Sequence, residues 1–108
     1  LAARPGAIVP FIAETGGQNA MVVDSSALIE QAVDDSIHSA FASAGQRCSA
    51  LRVLFVQQDI ADALLAMLKG AMAELRLGDP RHVSTDIGPV IDARAQAQLL
   101  AHIEHMHK

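Results

Sequence analysis

Aromatic side chains are nearly absent from this chain of 108 residues: three phenylalanines, no tryptophan and no tyrosine. A platform that stacks nucleobases needs several of them, so that class of binding is disfavoured. Basic residues are also few. Eight Lys and Arg are scattered among twelve Asp and Glu, a formal net charge of -4, whereas phosphate binding needs clustered cations. No nucleic-acid partner is expected through this segment. Cysteine occurs once, at Cys48, which rules out an internal disulfide, a Cys-x-x-Cys zinc pair and a dithiol cycle within the chain. No apolar run is long enough for a transmembrane span, and no basic n-region followed by an apolar h-region marks a secretory signal. The expected location is cytoplasmic.

What is present is apolar: 51% of the residues are hydrophobic, enough for one modest core. The chain opens on Leu1 rather than Met and stops at "AHIEHMHK", inside a predicted helix. Residues 1–108 are therefore expected to be an excised piece of a larger protein.

Periodicity gives the organisation. "AIVPFIAE" (Ala7 to Glu14) is rich in Ile, Val and Phe and reads as a strand. Pro10 confines it to an edge or an irregular first half, because proline cannot donate to a ladder. The glycines of "TGG" permit a tight turn or close backbone approach by a ligand. "AMVVD" (Ala20 to Asp24) and "LRVLFVQ" (Leu51 to Gln57) are continuous apolar runs of the kind buried on both faces of a sheet.

Between them Ile29, Val33, Ile37 and Phe41 recur every fourth residue and give a helix one apolar stripe, with Ser25 or Ser26 as its cap. A second helix, capped by Asp59, carries Ile60, Leu64, Leu68, Met72 and Leu75. It is expected to stop at "GDP" (Gly78 to Pro80), with Gly78 left-handed. A third helix starts at Asp92 and sets Leu99, Ile103 and Met106 on one face. A strand–helix–strand unit from Ala20 to Gln57 implies parallel strands joined by a crossover. The fold class is α/β, a mostly parallel sheet with covering helices.

Two residues stand out chemically. Cys48 follows a glycine-containing connection and precedes a strand, a junction where backbone N–H groups are free. A lone cysteine is commonly a buried hydrophobe; it is otherwise a redox handle or a nucleophile, and a cation such as Arg47 beside it favours the thiolate. Glu14 ends an apolar segment, either solvated or serving as a general base at the rim of a cleft. His102, His105 and His107, with Glu104, suggest a metal cluster at first sight. His107 leaves the face shared by the other two, and a metal needs three or four convergent ligands, so no metal is expected. His38 and His82 are assigned no role.

"ETGGQNAMVV" and "GQRC" together resemble the two signature segments of the aldehyde dehydrogenase superfamily, a Glu-Leu/Thr-Gly-Gly motif bearing the general base and a Gly-Gln-x-Cys motif bearing the nucleophile. Glu14 and Cys48 stand thirty-four positions apart, as in the family pattern. "LFVQQDI", "LRLGDP" and "IGPVID" resemble later family segments in the same order. "AETGGQNAM" and "RCSALR" resemble most the glutamate-semialdehyde branch, also called pyrroline-5-carboxylate dehydrogenase, and within it the dehydrogenase portion of bifunctional proline-oxidising flavoenzymes.

The resemblance implies that residues 1–108 are a segment of the family's catalytic domain, with 1–14 ending the strand that carries the base and 15–108 following it. It implies oxidation of L-glutamate γ-semialdehyde to L-glutamate with NAD+, Cys48 as nucleophile and Glu14 as base. Gly16 and Gly17 correspond to positions where backbone approaches the nicotinamide, and Ser49 to a substrate contact. The NAD site falls mostly outside the segment, and FAD belongs only to a separate proline-oxidising domain where the parent is bifunctional. The partners implied are a small-molecule aldehyde and, for the parent, further copies of itself as a homo-oligomer. The segment alone is expected to be inactive, because positioning matters as much as residue identity. Rival readings are a dehydrogenase for another semialdehyde, a non-catalytic binding or assembly module with Cys48 as filler, and a thiol redox sensor that lacks a resolving cysteine.

Overall fold

Strands β1 (Asn19–Val23) and β2 (Leu51–Val56) lie side by side in parallel in a computed structural model that describes residues 3, 5–7 and 9–108. Helix α1 (Ile29–Phe41) and a 3-10 turn (Ala42–Gly45) connect them, as parallel pairing requires. Helices α2 (Gln58–Glu74) and α3 (Ala93–Met106) follow. The class is α/β.

The register runs from Ala20 opposite Val53 to Val23 opposite Val56, but Asn19 lies opposite Leu51. Arg52 is thus an extra residue, and such a bulge breaks the alternation of faces. Arg52 and Val53 are both exposed in succession, while Leu51, Leu54 and Val56 turn inward.

Val23, Val33 and Leu64 form the buried centre, one from each of β1, α1 and α2, with Met21, Leu54, Ile60 and Leu68 packed against it. Ile29, Val33 and Ile37 of the expected α1 stripe and Ile60, Leu64 and Leu68 of the α2 stripe share this core, whereas Phe41 is not part of it, Met72 is exposed and Leu75 lies beyond the end of α2. Only one sheet face is covered. Val22 is 78% and Phe55 57% exposed on the other, so burial on both faces, as their composition suggested, is not met within this chain.

The strand expected over Ala7 to Glu14 is not formed among the described residues; Ile8 lies outside them. Residues 9–18 run without a ladder, and among the described residues β1 and β2 pair only with each other. Pro10 has no N–H to offer, and Phe11 and Ile12 remain 72% and 84% exposed.

Helix ends also differ in detail. Leu28 and Gln57, not the expected serine and Asp59, occupy the N-cap positions of α1 and α2, without a side-chain bond. Asp24 instead accepts from the backbone N–H and the hydroxyl of Ser26 at 2.8 and 2.6 Å. Helix α2 stops at Glu74, before "GDP", and Gly78 is not left-handed. A short parallel bridge between Leu77 and Ile87 takes over the backbone there, with Gly78 N–H donating to Ile87 C=O at 3.0 Å. Helix α3 begins after Asp92, which caps it by accepting from Ala95 N–H at 2.8 Å. The apolar face of α3 stays open: Leu99, Ile103 and Met106 are exposed.

Candidate active site

Cys48 and Ser49 hold the two central positions of a turn closed by Ala50 N–H donating to the Arg47 carbonyl at 3.2 Å. Both are exposed. Among the described residues neither backbone N–H has an acceptor, so two donors stand beside the thiol.

The chain reaches this turn through three consecutive left-handed residues: Ser43, Ala44 and Gly45, with φ of 56°, 54° and 66°. For the two non-glycine residues that conformation costs about 1–2 kcal/mol each. Hydrogen bonds offset it. The backbone N–H and the side-chain Nε2 of Gln46 donate to the Ser43 carbonyl at 3.1 and 3.0 Å, and Arg52 Nη2 donates to the Gly45 carbonyl at 2.6 Å. The bulge in β2 thereby acquires a purpose, since its extra residue grips the loop. Gly45 has no room for a side chain, because a Cβ would sit 2.9 Å from the Ala40 carbonyl.

Arg47 turns away from the role the sequence allowed it. Its Nη2 donates to the carbonyls of His38 and Ser39 at 3.2 and 3.4 Å, so its charge is engaged with the last turn of α1, where cations are favoured.

The other wall comes from "ETGGQN". Asn19 Nδ2 donates to the carbonyls of Cys48 and Ala50 at 2.7 and 3.0 Å. A Cβ on Gly17 would lie 2.6 Å from the Cys48 carbonyl; only glycine lets the two backbones meet. No tight turn forms at Gly16 and Gly17, which lie in the irregular run over residues 9–18. Gly16 faces open space where a side chain would be. Glu14 is exposed three residues upstream, within roughly 10 Å of chain from Gly17. No hydrogen bond joins Glu14 to Cys48 among the described residues.

The structure thus brings Gly17, Cys48 and Ser49 together and sets Glu14 on the same segment. It adds three residues that sequence reasoning passed over: Asn19, Gln46 and Arg52. Each acts through bonds to backbone, which no spacing pattern announces. The "LRLGDP" and "IGPVID" segments meet around a cavity of about 650 Å³ lined by Leu77, Pro80, Ile87 and Pro89 among others. No three of His, Cys, Asp or Glu converge as metal ligands among the described residues, His102, Glu104, His105 and His107 included.

The sequence profile of the aldehyde dehydrogenase family matches residues 1–108. The bifunctional protein PutA of Escherichia coli K12 is 63% identical over 101 residues, 94% of this chain and 8% of that protein. The 1-pyrroline-5-carboxylate dehydrogenase of Geobacillus kaustophilus is 39% identical over 93 residues, 86% of this chain and 18% of that one. Among solved structures, a bifunctional proline utilization A superposes with a TM-score of 0.89 at 60% identity, covering 99% of this chain and 11% of that one. The betaine aldehyde dehydrogenase of Staphylococcus aureus in complex with NAD+ gives 0.82 at 30% identity, over 84% of this chain and 18% of that one. The chain therefore spans a small part of each relative's length. With the profile matched along its whole length, and the Gly17 and Cys48 segments of its two signature motifs packed together, this chain belongs to the aldehyde dehydrogenase family.

Proposed function

We propose that residues 1–108 are a segment of the catalytic domain of an NAD-dependent dehydrogenase that oxidises L-glutamate γ-semialdehyde to L-glutamate in proline catabolism. Cys48 is the nucleophile and Glu14 the general base. The observation that carries this reading is the contact of Gly17 with the Cys48 carbonyl, which brings the segment bearing the carboxylate against the turn bearing the thiol. The likeness to PutA and to a 1-pyrroline-5-carboxylate dehydrogenase supports the choice of substrate.

The exposed Cys48 thiolate attacks the aldehyde carbon, forming a C–S bond and moving an electron pair onto oxygen. The free N–H groups of Cys48 and Ser49 are suited to hold that charge. The hydride leaving this carbon would be taken up by an NAD+ held against the Gly16 backbone, which would leave the carbon at the thioester level. Glu14 takes a proton from water; the oxygen adds to the acyl carbon, the C–S bond breaks, and Cys48 keeps the electron pair as the carboxylate departs. Gly16 offers the open backbone against which the nicotinamide would lie, and Gly17 closes the site by its smallness. Ser49, beside the thiol, contacts the substrate. In this reading FAD serves a separate proline-oxidising domain, the parent is a cytoplasmic homo-oligomer, and residues 1–108 alone are inactive.

The test is single-turnover kinetics of the full-length protein with glutamate semialdehyde and NAD+. Cys48→Ala should form no NADH. Glu14→Gln should form about one NADH per site and then stall as the thioester, since removing the base blocks only the second half. Wild-type turnover by either variant would end the assignment.

A further inference from the structure

We propose that Asn19 is a positioning residue for the Cys48 thiol, setting the nucleophile turn and the base-bearing segment in register through its two amide hydrogens. This rests on the assignment of Cys48 as nucleophile. Asn19 Nδ2 donates to Cys48 C=O at 2.7 Å and to Ala50 C=O at 3.0 Å. Two carbonyl acceptors can be served only by an –NH2 group, so the chemistry fixes the orientation of the amide. The two carbonyls bracket Ser49. Ala50 is fully buried and Cys48 exposed, so the clamp ties the apex of the turn to the interior.

Covalent geometry carries the consequence further. The peptide bonds are trans, and the Cys48 carbonyl shares a rigid plane with the Ser49 N–H, which points the opposite way. Holding the carbonyl fixes ψ of Cys48 and turns the Ser49 N–H away from Asn19. The strand ladder cannot do this job. Its register is broken between Asn19 and Ala20, and the Asn19 side chain supplies backbone contacts where the ladder slips. Gly17 closes the grip: a Cβ there would meet the Cys48 carbonyl at 2.6 Å and both Asn19 amide atoms at 3.1 Å.

Replacements are graded by their donors. Asn19→Ser retains one, Asn19→Ala none, and Asn19→Asp sets a carboxylate against two carbonyl oxygens. The experiment uses the full-length protein and two readouts per folded molecule: the NADH burst rate with glutamate semialdehyde, and the plateau that the rate of Cys48 alkylation by iodoacetamide reaches at high pH. The expected order is wild type, then Asn19→Ser, then Asn19→Ala and Asn19→Asp. The last two should lose roughly tenfold to a hundredfold in both rates, the scale of a small misplacement, with the NAD+ dissociation constant within about twofold.

Wild-type burst and plateau rates in folded Asn19→Ala or Asn19→Asp would overturn the inference. So would a loss of total activity with both rates per folded molecule unchanged, the signature of a purely structural role. Where Asn19→Ala yields no soluble protein, Asn19→Ser decides: wild-type rates in it reject the clamp. The alkylation plateau reports on Cys48 whatever its chemical role. Full turnover by Cys48→Ala with a lowered plateau in Asn19→Ala would therefore sink the nucleophile assignment and leave the positioning of the thiol standing.

Discussion

The side-chain carbonyl of Gln46 accepts the backbone N–H of Ile91 at 2.7 Å, a bond between residues 45 positions apart. The same side chain donates through Nε2 to the Ser43 carbonyl at 3.0 Å. One amide thus ties the left-handed approach to Cys48 at one end and the "IGPVID" segment at the other. Gln46→Ala removes both bonds. Because both are solvent-exposed, water replaces the lost partners and the stability cost should stay near 0.5–1.5 kcal/mol. Hydrogen exchange of residues 88–92 in the intact protein should quicken. Gln46→Glu still accepts from Ile91 but cannot donate to Ser43, so it should protect residues 88–92 almost as well as the native residue. Equal exchange in all three proteins would show that the tether does not hold that segment.

The two motifs that the sequence made conspicuous, "ETGGQNAM" and "GQRC", do come together, but through atoms that spacing does not reveal. Cys48 and Gly17 were visible as types in a pattern. The Asn19 clamp was not, because an amide at the head of a strand looks like any polar residue until the facing carbonyls are known. Periodicity found α1 and α2, since each has a face to bury at a fixed repeat, and continuous apolar runs found β1 and β2. Apolar content alone suggested a strand over Ala7 to Glu14, and among the described residues it has no ladder partner. The stop signal "GDP" misplaced the end of α2 because the Leu77–Ile87 bridge, a contact across ten residues, claims the backbone before Gly78.

Ala44 and Gly45, adjacent left-handed residues, respond in opposite ways to the exchange of one methyl group. Gly45→Ala adds a Cβ 2.9 Å from the Ala40 carbonyl at a φ of 66°. It should cost more than the roughly 1–2 kcal/mol of left-handed strain alone and slow the reaction at Cys48. Ala44→Gly, at a φ of 54°, relieves that strain and gives back part of it as unfolded-state entropy. A net gain of up to about 1 kcal/mol is expected, read as slower hydrogen exchange of residues 42–50. A gain from Gly45→Ala would contradict the left-handed turn.

Helix α2 contains both a residue it cannot lose and one it does not need. Leu64 is fully buried at the meeting of β1, α1 and α2, and Leu64→Ala should cost about 2–5 kcal/mol through lost transfer energy and the cavity left behind. Gly70 lies mid-helix with nothing within 4 Å of the position of a Cβ. Gly70→Ala should stabilise the helix by about 0.5–1 kcal/mol through backbone entropy. Amide protection along 58–74 in the intact protein measures both. The pair discriminates, because a helix held by this core loses protection in the first variant and gains it in the second.

The turn that leads from β1 into α1 should be sensitive to acid in a direction its hydrogen bonds dictate. The Asp24 carboxylate accepts from the Ser26 hydroxyl at 2.6 Å and from the Ser26 N–H at 2.8 Å. These bonds, the hydroxyl's first, hold its pKa below the ordinary aspartate value, since both favour the ionised form. A carboxyl whose pKa is depressed on folding lends its stability in full above the unfolded value and loses it as pH falls through the lowered folded value. Ser26→Ala removes the larger cause, so Asp24 should titrate closer to the ordinary value and the turn should loosen at a higher pH. Hydrogen exchange of residues 24–28 followed down the acid range, corrected for intrinsic rates, reads that midpoint. Coincident midpoints in the native and Ser26→Ala proteins would show that the hydroxyl does not hold the carboxylate.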